Sequence, residues 1–360
     1  MREATKRRTR RVLLTVLSFA AAATLIWALP YILDITWSEI IDAFENLTWW
    51  QLLGLIALWL VGLWSYTYML KATLPGLTNL QAFTMNACSS GIGNMLPAGG
   101  AVGVAVNFAL CRSWGYPRSA VAASVLVSGI WNTLIRLLVP ALGLLALLLA
   151  GKVPSPAFQI PAGVAVLGLI GLAVVAFAAL RWDQATEAVG RRLDWLGARI
   201  PRRFRPAPKR WSSALWRLRG QITDVIRGRW PRMTGWLLTY FTLQALLFAA
   251  CAAVTGAYIG FAEAVAAFAL GRLATAAPIT PGGTGLTEVA AAGMLIALGA
   301  EAGPAGATAL LFSALVFFAE IPLGAILWVV STFLTRGRWA PERTAARVGF
   351  TPIGANSNDS

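Results

Sequence analysis

The sequence predicts an all-α polytopic membrane protein: six crossing helices plus two helical hairpins broken by Pro and Gly, arranged as an inverted-topology repeat. Three observations carry this prediction. The 360 residues are 58% hydrophobic and only 12% charged, with a mean hydropathy of +0.67; a soluble domain carries about twice that charge. Two long apolar segments are interrupted in their middles by similar Pro/Gly clusters, LPAGGAVG at 96–103 and ITPGGTGL at 279–286. The basic residues recur at the intervals expected of cytoplasmic loops.

In chain order, Val12–Leu29 follows a basic arm of six Lys and Arg. Its apolar run continues to Leu33, longer than the core of a cleaved signal, so it reads as an uncleaved first helix. Thr36–Leu47 reads as a short amphipathic helix: Trp37, Ile40, Ile41, Phe44 and Leu47 share a face, and Thr36 with Glu39 fits a capping box. Trp49–Leu70, Val121–Leu149, Ala162–Leu180, Gly235–Ile259 and Pro304–Leu334 supply the other five crossings, each near the roughly 20 residues a bilayer requires. The broken segments are Leu80–Cys111 and Phe261–Gly299.

Charge fixes the orientation. With six crossings and the N-terminus inside, the N-terminal arm, Lys71, Arg112, Arg118, the fourteen basic residues of Arg181–Arg232 and the four of Arg336–Arg347 all fall on one side. The opposite side receives Asp34, Glu39, Asp42, Glu45, Glu263 and Glu301, with Lys152 the basic exception. Both termini are therefore expected in the cytoplasm, in a chain integral to the cytoplasmic membrane. Leu80–Cys111 then enters from the cytoplasm and Phe261–Gly299 from outside. Two similar units in opposite orientations, about 49–150 and about 235–334, form the expected repeat, a plan common in secondary transporters. The expected organisation is one membrane domain over 1–340 and a disordered tail over 341–360.

Broken backbone in a bilayer is tolerated where it is buried in protein or lines a wet cavity. The plainer alternative is a tight turn at the base of an ordinary hairpin. Four ionisable residues sit inside apolar segments: Arg136, Arg272, Glu288 and Glu320. Each costs ~2.5–3.5 kcal/mol at a helix centre on the insertion scale, so pairing of the two cations with the two anions is expected. Pro140 and Pro322 follow Arg136 and Glu320 closely and free backbone carbonyls. Candidate substrate-contacting residues are therefore Arg136, Arg272, Glu288 and Glu320, with Asn94, Pro97, Gly99 and Gly100 of the first break and Pro281, Gly282, Gly283 and Gly285 of the second. A structural ion pair is the competing reading of the charges. Interhelical hydrogen bonding is the competing reading of Asn94, Asn107 and Asn132.

The 181–232 stretch has helical apolar spacing on both sides of the basic turn PRRFRPAPKR. It reads as a basic amphipathic pair on an anionic membrane surface, or as orientation charge alone. Nucleic acid is not an expected partner. Cys88, Cys111 and Cys251 read as small buried hydrophobes, and the chain has no histidine. No cofactor or metal is expected.

PGGTGLTE at 281–288 resembles the Pro-Gly-Gly-x-Gly-x-x-Glu signature of flippase-like proteins related to the transmembrane domain of lysylphosphatidylglycerol synthase (multiple peptide resistance factor). NMLPAGGAVG at 94–103, followed by CRSWGYPRSA at 111–120, is similar to that family's first motif. The resemblance spans roughly 10–335 and suggests a stand-alone member without the soluble aminoacyl-transferase domain. Relatives often carry charge in or after the first break, and AGGAVGVAV here has none. The resemblance implies translocation of lipids with modified headgroups, with aminoacylated phospholipids in the best-understood branch.

The leading expectation is thus a lipid transporter rather than an enzyme, its partners being membrane lipids: an anionic phospholipid or a polyprenyl-phosphate-linked substrate. No GxxxxGK[ST] motif is present, so transport is expected to be passive or ion-coupled. A membrane-embedded transferase acting on lipid-linked sugars and a non-transporting scaffold for envelope synthesis are the alternatives.

Overall fold

The computed structural model describes residues 24, 26–33, 36–45, 47–96, 99–152, 228–275, 283–335 and 339, and scattered helical positions between 163 and 194. Every regular element among the described residues is helical. The order is α1 Trp37–Glu45, α2 Trp49–Thr73, α3 Asn79–Met95, α4 Gly99–Ser113, α5 Arg118–Leu149, α6 Trp230–Thr255, α7 Phe261–Ala274, α8 Leu286–Ala297, α9 Ala302–Ser313 and α10 Glu320–Thr335. A π-helical turn, Ala314–Phe318, joins α9 to α10.

Four helical spans among the described residues are long and apolar enough to cross a membrane: Trp49–Thr73, Arg118–Leu149, Trp230–Thr255 and Ala302–Leu334. They coincide with four of the six expected crossings. The expected crossings Val12–Leu29 and Ala162–Leu180 lie largely outside the described residues, as do most of 181–232 and all of 341–360.

Local chemistry accounts for the helix ends. Thr78 caps α3 reciprocally: Gln81 N donates to Thr78 Oγ1 at 3.2 Å and Thr78 N to Gln81 Oε1 at 3.1 Å. The box expected at Thr36 forms too, with Thr36 N donating to Glu39 Oε2 at 3.0 Å and Glu39 N to Thr36 Oγ1 at 3.4 Å. α1 then buries Ile40 and packs on α9, leaving Trp37 and Ile41 exposed. Helix α6 has Pro231 in its first turn and is capped by left-handed Gly256, after which Ala257 N reaches back to Ala252 O at 2.8 Å.

The two broken segments form helical hairpins, α3–α4 and α7–α8. Their arms have 17, 15, 14 and 12 residues. At about 1.5 Å per residue none reaches the ~30 Å hydrocarbon thickness. Beyond the hairpins, α2 packs along α6, α3 along α10, and α7 along α5. Small residues permit these approaches, as expected where lipid gives helices no hydrophobic reason to associate. A Cβ at Gly324 would sit 2.5 Å from Ala87 O, and one at Gly143 would sit 2.6 Å from Ala269 Cβ.

The span expected as one helix, Pro304–Leu334, is interrupted. In the π turn Ala319 N donates to Ala314 O, five residues back, at 2.8 Å. Pro322 has no N–H for the carbonyl of Phe318, which helps unseat the ladder here. Pro140 leaves α5 continuous.

Candidate functional site

A cavity of about 490 Å³ opens between the first hairpin, α5 and the rim of the second hairpin. The first hairpin supplies most of its wall. Asn86, Ser89, Ser90 and Asn94 come from α3, and Gly99, Gly100, Gly103 and Asn107 from α4. On α5, Ser128, Asn132 and Arg136 recur every four residues and therefore share a face. Tyr66 enters from α2. The second half contributes Arg272 and Thr275 at the end of α7, Gly283 beyond the break, and Phe317 of the π turn.

The structure thus brings six of the expected site residues to one cavity: Asn94, Gly99, Gly100, Arg136, Arg272 and Gly283. Gly285, Glu288 and Glu320 are not in its wall. Pro97, Pro281 and Gly282 lie outside the described residues.

Among the described residues the expected pairing of cations with anions does not close into an ion pair, although Arg272 and Glu320 act on each other electrostatically. Neither Arg136 nor Arg272 makes an ion pair among the described residues, where the ion pairs are Lys152–Glu263 and Arg191–Glu187. Arg272 is 7% exposed. Its Nη2 donates to Gln244 Oε1 at 2.7 Å, and its guanidinium lies 5.6, 5.7 and 5.8 Å from the ring centroids of Phe268, Phe312 and Phe317. Three aromatic quadrupoles and a neutral amide are its direct contacts, with the Glu320 carboxylate acting on it from farther off. Arg136 is exposed and makes no hydrogen bond among the described residues.

Glu288 has other work. It occupies the first turn of α8, and its Oε2 accepts from Gly285 N at 2.6 Å. The carboxylate satisfies a helix-terminal donor and complements the dipole. Its Oε1 is buried and faces the Ser313 hydroxyl outside hydrogen-bond geometry. The motif glycines fit the same turn. Gly283 (φ 79°) and Gly285 (φ 87°) are left-handed, and a Cβ on Gly283 would sit 3.0 Å from Thr275 Cα.

Glu320 begins α10 directly behind the cavity wall and is buried. Asn94 links the two: its Nδ2 donates to Phe317 O at 3.2 Å and approaches Glu320 Oε2 at 3.4 Å. That joins the first hairpin to the π turn of the second half.

A polar thread passes between the two cations. Asn132 Nδ2 donates to Tyr66 Oη at 2.7 Å. The rings of Tyr66 and Tyr240 lie 5.0 Å apart across the α2–α6 contact. Gln244 Nε2 donates to Tyr240 Oη at 2.7 Å and its Oε1 accepts from Arg272. The sequence reading missed Tyr66, Tyr240, Gln244 and the serines of α3. Tyr240 and Gln244 at four-residue spacing inside an apolar helix, and the SSGIGN run at 89–94, were the available signals.

Compared with known proteins, no curated sequence matches the chain. The family model of the lysylphosphatidylglycerol synthase TM region matches residues 15–324. That interval holds both breaks, the whole cavity wall and the π turn. The chain belongs to the lysylphosphatidylglycerol synthase transmembrane-region family.

Proposed function

We propose that the protein translocates a lipid with a modified or phosphate-linked headgroup across the cytoplasmic membrane, through the polar cavity between two inverted repeats. The observation that carries this reading is the cavity itself: about 490 Å³, lined by amides, hydroxyls and two arginines, inside an apolar helical body. Such a volume suits a headgroup, while hydrocarbon tails need no enclosure and stay in the bilayer.

Packing supports the repeat. Helix α2 corresponds to α6, α3 to α7, α4 to α8, and α5 to α9–α10. The contact of α3 with α10 then has its counterpart in α7 with α5, and α2 meets α6 near the relating axis. The short hairpin arms support re-entrant segments that enter and leave on one face. Lys152, the basic exception on the outer side, pairs with Glu263, which favours both termini in the cytoplasm. In this reading Arg136 and Arg272 hold the headgroup phosphate. Asn94, Gly99, Gly100 and Gly283 shape its path with Pro97, Pro281 and Gly282, Glu320 steadies Asn94, and Gly285 with Glu288 fixes the second hairpin.

The test is a fluorescent phospholipid in proteoliposomes, with outer-leaflet dye quenched chemically. Protein-dependent loss of the protected fraction supports translocation, and identical traces with and without protein would refute it. Orientation is tested separately: a cysteine at position 155 should react with an impermeant reagent from outside intact cells, and one at 213 should not.

A further inference from the structure

The lining of the cavity has a sign. Among the described residues it presents two guanidiniums, Arg136 and Arg272, and no carboxylate. The undescribed residues of the two breaks, 97–98 and 276–282, contain no Asp or Glu. Glu288 is turned onto the α8 cap, and Glu320 stands behind Asn94. Even with Glu320 charged, the cations outnumber the anions at the wall. A cationic headgroup would meet net like charge at a wall without a carboxylate, the nearby Glu320 already acting on Arg272.

The rest of the wall is hydroxyl and amide. Phosphate oxygens require only donors, which the arginines supply. Asn86, Asn94, Asn107 and Asn132 bring acceptors as well. Asn107 Oδ1 is buried without a hydrogen-bond partner. An unspent acceptor in a wall that also carries two cations suits a neutral hydroxyl donor better than an ammonium.

The cavity also has a side exit. A second hollow of about 340 Å³ runs along the outer face of α5, lined by Val125, Leu126, Gly129, Ile130, Thr133 and Leu134. Val125 and Gly129 belong to both spaces. A Cβ on Gly129 would meet nothing within 4 Å, so the passage over it is open. The two spaces share wall residues, so a polar chamber borders an apolar groove, and together they match a molecule that is polar at one end and hydrocarbon at the other.

We propose that the cavity selects an anionic lipid whose phosphate bears an uncharged, hydroxyl-rich group, with its tail lying over Gly129 in the α5 groove. An aminoacylated, cationic headgroup is disfavoured. This rests on the translocation reading for its physiological meaning, but the site can be tested through binding alone.

The full chain in nanodiscs is titrated with phosphatidylglycerol, lysyl-phosphatidylglycerol of the same tails, and water-soluble glycerol phosphate. Phosphatidylglycerol should bind at least about tenfold tighter than the lysyl form, a difference within reach of one charge-assisted contact. Arg136→Gln should lower phosphatidylglycerol binding about tenfold. Thr133→Trp, in the α5 groove and outside the cavity wall, should do the same while leaving glycerol phosphate binding within about twofold, because it blocks the tail and not the headgroup. Equal or tighter binding of lysyl-phosphatidylglycerol overturns the proposal. So does phosphatidylglycerol binding that is indifferent to Thr133→Trp, because the site would then take a soluble phosphate. The same lipids in the leaflet assay separate the two readings: selective binding without movement refutes translocation alone, and movement that favours the cationic lipid refutes the selectivity alone.

Discussion

The two broken hairpins differ in how they use polarity. The second, α7–α8, carries Arg272 and Glu288, and its sequence draws attention first. The first, α3–α4, has no charge in its break, yet its Asn, Ser and Gly residues make most of the cavity wall. Of the two charges flanking the second break, Arg272 reaches the cavity while Glu288 is committed to Gly285 N. An intramembrane charge is thus not by itself a substrate contact. A carboxylate at a helix N-terminus can be fully occupied in holding the turn that positions its neighbours.

The sharpest way to break this comparison is to add one methyl group at each break. A Cβ on Gly99 would collide with the Gly93 carbonyl across the first hairpin, whereas one on Gly100 would meet nothing within 4 Å. Gly99→Ala should cost about 1–3 kcal/mol by overpacking and Gly100→Ala almost nothing. Gly283→Ala should cost a similar 1–3 kcal/mol, through its positive φ and the crowding at Thr275. Thermal unfolding of the purified variants in detergent checks all three. Equal melting temperatures for the two α4 variants would deny the close hairpin contact.

A smaller effect is expected at the joint between the halves. Asn94→Ala removes the donor to Phe317 O and should cost about 1 kcal/mol in stability. Because Asn94 also lines the cavity, lipid movement should fall several-fold, whereas Asn79→Ala, on the same helix but paired to Lys71, should leave it unchanged. Matched initial rates in proteoliposomes decide. The smallest effect is expected at Glu288: glutamine can still accept from Gly285 N, while Glu288→Ala loses the cap and about 1 kcal/mol. If Glu288→Gln and Glu288→Ala unfold alike, the capping role is wrong.

Much of the fold was legible because its signals are local. Trp49–Leu70 and Gly235–Ile259 are continuous apolar runs, and the Thr36–Glu39 box with the Ile40 face specified α1 within ten residues. Arg136, Arg272 and Gly283 could be picked out because charge and positive-φ glycine are costly in hydrocarbon. The rest depends on contacts between distant segments. Nothing in the chain order around Arg272 indicates that Gln244 and three phenylalanines would be its direct contacts. The π turn and α10 seat against α3, and Pro322 alone did not specify the turn when Pro140 leaves α5 intact. Glu288 and Glu320 were expected at the cavity because spacing reveals helical face but not which neighbour a side chain meets.

The central claim is that the substrate path runs past the first hairpin, whose break is uncharged, and Arg136, with Glu288 as a structural cap. The most direct measurement compares Arg136→Gln and Glu288→Gln in the leaflet-resolved lipid assay, with equal amounts of folded protein reconstituted. The account predicts a loss of about tenfold or more for Arg136→Gln, as expected for one charge-assisted contact, and a change within about threefold for Glu288→Gln. The reverse order, with Glu288→Gln inactive and Arg136→Gln near normal, would contradict it and move the site to the second hairpin.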